Sequence, residues 1–338
     1  MDPAVSVVMP VYDAARTLAA ALDSVRGQTE PAWELIAVDD GSRDGSGAML
    51  DDVARQDARI RVIHTPHRGI VAALEAAVEI ARGRFIARMD ADDLSMPARL
   101  ECQRRHLDDH PDVGLVACRV RFAGDPGRAA GYARYVAWTN GLLTHEQIAA
   151  ARFVESPLAH PSVMFRRELV ARLGGYADGD FPEDYELWLR WLDAGVRMEK
   201  LAETLVAWTD DPGRLSRRDP RYGGEAFDRV KARYLARWIE RQEPRRRDVI
   251  VWGAGRTSRR RARHFVDAGI EITAYIDIDP RKIGRVIDGR RVLKAEALPP
   301  VGDTFVVACV GSVGAREQIE ARLRGAGYRA GVDYVLAA

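Results

Sequence analysis

Within the first hundred residues, short β-rich apolar runs alternate with stretches of helical period. Val5-Ser6-Val7-Val8-Met9 is the first such run, and the sequence reads as if Pro10 ends it. Leu18, Leu22 and Val25 then recur at three- and four-residue steps, the pattern of a helix with one buried face. Leu35-Ile36-Ala37-Val38 and Arg61-Val62-Ile63 predict the next two strands, and a helix runs from about Gly69 to about Arg82. Phe85-Ile86-Ala87 is the fourth strand, and a further helix is expected from Ser95-Met96-Pro97. Such alternation folds into a largely parallel sheet with right-handed crossovers, an α/β architecture. Ligands in such folds gather at the carboxyl ends of the strands, where this chain carries Asp39, Asp40, Asp90 and Asp92. Residues 123–143 show no clear period and receive no assignment.

Length and charge divide the chain. Its 338 residues suggest two domains. The formal net charge of +1 averages two unlike parts: residues 244–338 carry 18 Lys/Arg against 11 Asp/Glu, and residues 1–243 carry 33 against 39. The switch falls at Glu243-Pro244-Arg245-Arg246-Arg247, so the expected domains are 1–243 and 244–338. A basic second domain suits an anionic ligand, although solvated helix faces together with attraction to the acidic first domain account for it more simply. No nucleic-acid recognition motif accompanies the charge, so nucleic acid is not an expected partner. No apolar run approaches the roughly 20 residues of a membrane-spanning helix. The start Met1-Asp2-Pro3-Ala4 lacks a signal-peptide pattern, and the expected location is cytoplasmic. Three widely spaced cysteines, Cys102, Cys118 and Cys309, show no metal-ligand spacing and do not predict a disulfide framework.

Three polar clusters carry the chemistry. Asp90-Ala91-Asp92-Asp93 follows an apolar strand, and carboxylates two apart can converge on a divalent cation such as Mg²⁺ or Mn²⁺. Such a cation can bridge a diphosphate and neutralise its charge as it leaves. The same acids also suit the start of the helix expected after them. Asp39 can accept from a nucleobase N–H or a ribose hydroxyl, whereas Asp40 fits an Asx-type turn before a helix near Asp44 equally well. In Pro10-Val11-Tyr12 the tyrosine can stack on a base or sit half-buried in the core. Glu183 and Asp184 open a helix; they complement its dipole, and a carboxylate there is also well placed as a general base.

Together these stretches resemble the family 2 glycosyltransferases of the GT-A fold. The matching segments are Val5–Tyr12, Val38-Asp39-Asp40-Gly41-Ser42, Ala87–Asp93, His160-Pro161-Ser162-Val163-Met164-Phe165-Arg166 and Glu183-Asp184-Tyr185-Glu186-Leu187-Trp188, in the family's order across about residues 4–210. The resemblance implies inverting transfer of a sugar from a nucleotide-diphosphate donor to an acceptor hydroxyl of a carbohydrate or glycoconjugate. It implies that Pro10, Val11, Tyr12 and Asp39 hold the nucleoside, that Asp90 and Asp92 hold a metal-bound diphosphate with Mn²⁺ or Mg²⁺ as cofactor, and that Asp184 is the base, with the preceding Glu183 a candidate to orient or support the acceptor site. His160 occupies the family's His-Pro position, where a contact to donor, metal or acceptor and a structural hydrogen bond are both open. The turn His67-Arg68-Gly69 departs from the family's Asn-rich turn, with Arg68 a candidate for donor phosphate or base and Glu75 standing where Asn is frequent. Arg214-Leu215-Ser216 lies where the family often carries a loop over the diphosphate. Two other readings stay open: a nucleotidyltransferase, and a sugar-nucleotide-binding regulatory protein with an inactive transferase domain.

In the second domain, Asp248–Trp252 leads into Gly253-Ala254-Gly255 and a helix with Ala262, Phe265 and Val266 on its inner face. Asp277 follows Gly253 by 24 residues, near the position of an acid that meets a ribose. Ser258 replaces the fingerprint's third glycine, and the domain resembles a small Rossmann-like unit. Nucleotide or anion binding beside Arg256 and Arg259, and a packing, assembly or regulatory role, are both open, as is homo-oligomerisation.

Overall fold

The apolar runs of the first domain become strands because their β-branched residues pack on both faces of a covered sheet. In a computed structural model that describes residues 2–125, 127–211, 213–242, 248–312 and 314–338, fourteen strands are placed: β1 Val5–Val11, β2 Trp33–Asp39, β3 Ile60–His64, β4 Phe85–Arg88, β5 Leu94–Ser95, β6 Val113–Ala123, β7 Met164–Arg166, β8 Arg197–Thr209, β9 Asp248–Trp252, β10 Ile272–Asp277, β11 Val286–Ile287, β12 Arg290–Lys294, β13 Thr304–Ala308 and β14 Tyr334–Leu336. They form an eight-stranded sheet in the order β3-β2-β1-β4-β7-β6-β8-β5 and a six-stranded sheet in the order β11-β12-β10-β9-β13-β14.

Two compact units result, residues 1–148 with 157–219, and 149–156 with 220–338. The helix Gly224–Gln242 therefore groups with the second unit, although the sequence places it before the boundary. The charge switch at 243–247 lies outside the described residues.

In the first unit β3, β2, β1 and β4 run parallel, and β7 joins β4 antiparallel. Val5, Val7, Met9, Leu35, Phe85 and Ala87 are buried with Leu18, Leu22 and Val25 of the helix Ala15–Arg26. β1 does not stop at Pro10: it pairs with β2 through Val11, beyond the last residue that β4 pairs with it, so the missing N–H costs no ladder bond to β4. The unassigned stretch contains the helix Ala130–Asn140, whose buried residues are only Val136 and Thr139, which explains the missing period. The helix after the acid cluster begins at Arg99, not Ser95. Leu94 and Ser95 instead form β5 against Ala207 and Val206, and the helix N-cap is Ala98, with no side-chain cap. The acids at 90–93 thus do not cap it. The helix expected near Asp44 starts at Ser46, with Asp44 Oδ1 accepting the Ser46 N–H at 3.0 Å.

The second unit has parallel strands in the order β12-β10-β9-β13-β14, the third-second-first-fourth-fifth order of a Rossmann sheet, with β11 antiparallel at the edge. Gly253, at φ +119°, admits no side chain: a Cβ would stand 2.5 Å from Ser258 Oγ. Ser258 donates to the Cys309 carbonyl at 2.9 Å, so the serine replacing the third glycine ties the turn to the end of β13. Asp277 accepts from the N–H groups of Ala254 and Asp279, each at 2.9 Å, and from Lys282 Nζ at 3.0 Å. Ala262 and Phe265 are buried as expected, whereas Val266 is exposed. Arg259 pairs with Asp288 at 3.2 Å and Arg256 is exposed. All three cysteines are free thiols, and no helix among the described residues is long and apolar enough to cross a membrane.

Candidate active site

The carboxyl ends of β1, β2 and β4 carry Tyr12, Asp39, Asp40, Asp90 and Asp92. At the end of β1, Pro10 is partly covered, Val11 is buried, and Tyr12 is 47% exposed. Its ring stacks on His67 with centroids 4.1 Å apart and planes 24° apart, giving an aromatic platform at the strand end. Asp40 serves the adjoining turn: its two oxygens accept the N–H groups of Arg68 and Gly69 at 2.8 Å each, and Oδ2 lies 2.8 Å from His67 Nδ1. These bonds lie in the turn before the helix Ile70–Ile80 and make no Asx turn before the helix Ser46–Gln56, where Asp39 accepts the Ser42 N–H and Asp44 the Ser46 N–H instead. The Arg68 side chain is exposed.

Asp39 is buried, with Oδ1 accepting from Ser42 N–H at 3.0 Å and Oδ2 3.0 Å from His64 Nδ1. Burial opposes its charge, but the bonds from Ser42 and His64 outweigh it and hold the carboxyl below its ordinary value. An ionised carboxylate offers about four acceptor sites, so Asp39 retains acceptor capacity beyond these two contacts.

At the end of β4, Asp90, Asp92 and Asp93 each bring a carboxylate oxygen within 4.8 Å of the others. Arg88, the last residue of β4, is fully buried; it donates to Asp90 Oδ1 at 2.5 Å and also to the Met89 carbonyl. For Asp90 burial opposes ionisation, but the guanidinium groups of Arg88 and Arg214 prevail and keep the pKa below the usual carboxylate range. Burial and the Asp90 charge push Asp92 up, and push Asp93 well above its ordinary value. Asp93 Oδ1 accepts the Thr209 N–H at 2.7 Å, while its buried Oδ2 has no hydrogen-bond partner. An all-oxygen donor set with an unsatisfied buried carboxylate oxygen fits a hard divalent cation. Arg214 reaches this cluster electrostatically from the N-cap of the helix Leu215–Arg218; it donates to the Thr209 carbonyl at 2.6 Å and lies over Trp208.

The third group opens the helix Glu183–Asp193, whose Leu187, Trp188 and Trp191 are core residues. Glu183 is buried, and Asp184 is half-buried with Oδ1 accepting the Tyr185 N–H at 2.7 Å. Burial, then the neighbouring Glu183 charge, push the Asp184 carboxyl up to about 8. A general base works best when its pKa lies near the operating pH. His160 turns inward: Nε2 lies 2.9 Å from the Tyr176 hydroxyl and Nδ1 lies 3.7 Å from Glu183 Oε1. Burial, then the Arg88 charge, push its pKa well below the ordinary value, so the imidazole is neutral. Glu75, the departure from Asn, accepts the Tyr176 N–H at 2.6 Å and thereby fixes that backbone.

The structure thus places Asp90 with Asp92, and His160 with Glu183. Arg88 and Tyr176 join these groups without having been singled out, and Asp93, part of the acidic stretch, joins the two acids expected to hold the cation. A signal for Arg88 exists, a charge inside a buried four-residue strand directly ahead of Asp-x-Asp; Tyr176 offers none.

Residues 6–174 match the family described as "Glycosyl transferase family 2". The putative glycosyltransferase EpsE of Bacillus subtilis is 31% identical over 225 residues, covering 65% of this chain and 78% of EpsE. Among solved structures, TarS of S. aureus, residues 1–349, in complex with UDP-GlcNAc, has a TM-score of 0.54 at 17% identity, over 71% of this chain and 73% of that one. The mannosyltransferase PcManGT from Pyrobaculum calidifontis, in complex with GDP-Man and Mn²⁺, has a TM-score of 0.50 at 23% identity, over 71% and 64%. These two likenesses establish the GT-A fold. The family match covers half the chain: this protein belongs to glycosyltransferase family 2.

Proposed function

We propose that this glycosyltransferase moves a sugar from a nucleotide-diphosphate donor to a hydroxyl of a carbohydrate or glycoconjugate acceptor, with inversion at the anomeric carbon and Asp184 as base. The observation that carries this reading is the carboxylate cluster at the end of β4: Asp90, Asp92 and Asp93 bring oxygens within 4.8 Å of one another, Arg88 bonds Asp90, and the buried Asp93 Oδ2 has no hydrogen-bond partner.

In this reading the Tyr12–His67 platform receives the nucleobase, beside the end of β1 formed by Pro10 and Val11, and Asp39 accepts from the nucleoside. The exposed Arg68 side chain is available to the donor phosphates or base. Asp90, Asp92 and Asp93 would hold Mn²⁺ or Mg²⁺, which when bound supplies Lewis-acid neutralisation of the departing diphosphate. Asp184 takes the proton of the acceptor hydroxyl as the new C–O bond forms and the bond to the diphosphate breaks. Base catalysis of this kind contributes about 10²–10⁴-fold. The likeness to TarS and PcManGT, whose structures hold UDP-GlcNAc and GDP-Man, supports the donor class.

The test is a panel of nucleotide sugars beginning with UDP-GlcNAc and GDP-Man, with Mn²⁺ or Mg²⁺ and with chelator. Release of nucleoside diphosphate that is lost in Asp92→Ala is expected. Release of pyrophosphate from nucleoside triphosphates, or full turnover in chelator, would overturn the donor or the cation assignment respectively.

A further inference from the structure

Two buried residues beside Asp184 have no part in the proposed reaction. His160 is held between Tyr176 and Glu183, with Trp188 edge-on to its ring at 6.0 Å and 79°. Its side chain is 10% exposed. Tyr176 is 5% exposed, and its backbone is anchored by Glu75. A neutral imidazole has one donor and one acceptor nitrogen. The carboxylate of Glu183 lies on the Nδ1 side and can only accept when ionised; the Tyr176 hydroxyl lies on the Nε2 side and can donate. That arrangement is matched throughout only when Nδ1 carries the proton and Nε2 accepts from Tyr176.

We propose that Tyr176 and His160 form a positioning strut, Tyr176 O–H to Nε2 and Nδ1–H toward Glu183, that fixes Glu183 beside Asp184, and that His160 is not a donor ligand. The inference rests on Asp184 being the base. Nε2 is taken up by the Tyr176 hydroxyl, and Nδ1 faces the Glu183 carboxylate at 3.7 Å, close enough for the charge to favour a proton there though longer than a hydrogen bond. The strut determines where the Glu183 charge lies, and that charge together with burial sets how strongly Asp184 holds a proton. The charged groups facing this cluster are Glu183 and Asp184 on their helix, Arg88 and Asp90 at the end of β4, and Glu75 on the helix Ile70–Ile80.

Two measurements test the strut. In ¹⁵N-histidine-labelled full-length protein, long-range ¹H–¹⁵N correlation reads the His160 tautomer, with the signal assigned by its loss in His160→Gln. A neutral Nδ1–H tautomer between pH 6.5 and 8 is expected, with the Nε2 shift moved in the nearly isosteric Tyr176→Phe. An Nε2–H tautomer, an imidazolium at pH 6.5, or an Nε2 shift unmoved by Tyr176→Phe overturns the strut. Second, with whichever nucleotide sugar of the panel turns over, Tyr176→Phe should lower kcat between about tenfold and a hundredfold with donor KM within twofold, and should move the midpoint of the kcat–pH profile. A raised KM at unchanged kcat, or an unchanged profile, makes His160 a ligand or a bystander and overturns it too. If no nucleotide sugar turns over, the reading of function fails while the tautomer measurement still decides the strut.

Discussion

Replacing Arg88 by methionine removes a guanidinium that is fully buried and hydrogen-bonded to Asp90 Oδ1 and the Met89 carbonyl. Breaking a buried pair from one side costs about 3–5 kcal/mol, because the remaining charge is left uncompensated. The Asp90 side chain keeps 21% exposure, which places the expected loss near the lower end, about 3 kcal/mol. For a unit of this size 1 kcal/mol moves Tm by about 2–4 °C, so the first unit should melt roughly 6–12 °C lower at neutral pH. The sign with pH follows from the direction of the Asp90 shift. Its carboxyl is held below its ordinary value in the folded protein, so the pair contributes fully above the unfolded value of about 3.9 and fades as pH falls through the folded one. Scanning calorimetry of wild type and Arg88→Met from pH 7 to pH 3 should show a gap that is constant at first and narrows at the acid end. A gap under about 2 °C at pH 7, or one that widens toward pH 3, would refute the pairing.

Asp184→Asn should lower kcat by about 10²–10⁴-fold with donor KM nearly unchanged. Because the carboxyl is pushed up to about 8, wild-type kcat/KM should fall as pH drops below that value; a profile flat from pH 6 to 9 contradicts the role. Tyr12→Ala should weaken donor binding by about 1–3 kcal/mol, the worth of one base–aromatic stack, read as Kd by calorimetry. Lys200 is buried, and that burial lowers its pKa to about 7, although its ammonium donates to Thr139 Oγ1 at 2.9 Å and Pro157 O at 3.3 Å. The unfolded chain then binds more protons between that value and about 10.4, so wild-type stability should rise over this window by up to about 1.4 kcal/mol per pH unit. In Lys200→Met, denaturant unfolding should show a flatter slope; an unchanged slope rejects the assignment.

What the sequence made legible, and what it hid, follows from how local each signal is. The strands at Val5, Leu35 and Phe85 are legible because doubly covered strands are continuous apolar runs, and Asp39, Asp90 and Asp92 because they sit where those runs end. Pro10 misled, since whether a proline ends a strand depends on which neighbour runs beside it. The helix Ala130–Asn140 buries too little to show a period. Tyr176 and Glu75 are joined only by the fold, across 101 residues, and no local pattern announces such a pair. The acid Asp277 matched a ribose-binding spacing, yet the structure shows it closing its own glycine turn through Ala254 and Lys282, a contact that spacing does not distinguish.

The stereochemistry of one turnover distinguishes a single displacement from its alternatives most directly. With an α-linked nucleotide sugar, Mg²⁺ and an accepted hydroxyl compound, ¹H NMR of the first product should show the β-anomer, formed with nucleoside diphosphate and abolished in Asp184→Asn. An α-linked product, or undiminished turnover in Asp184→Asn, would contradict a single displacement assisted by that carboxylate.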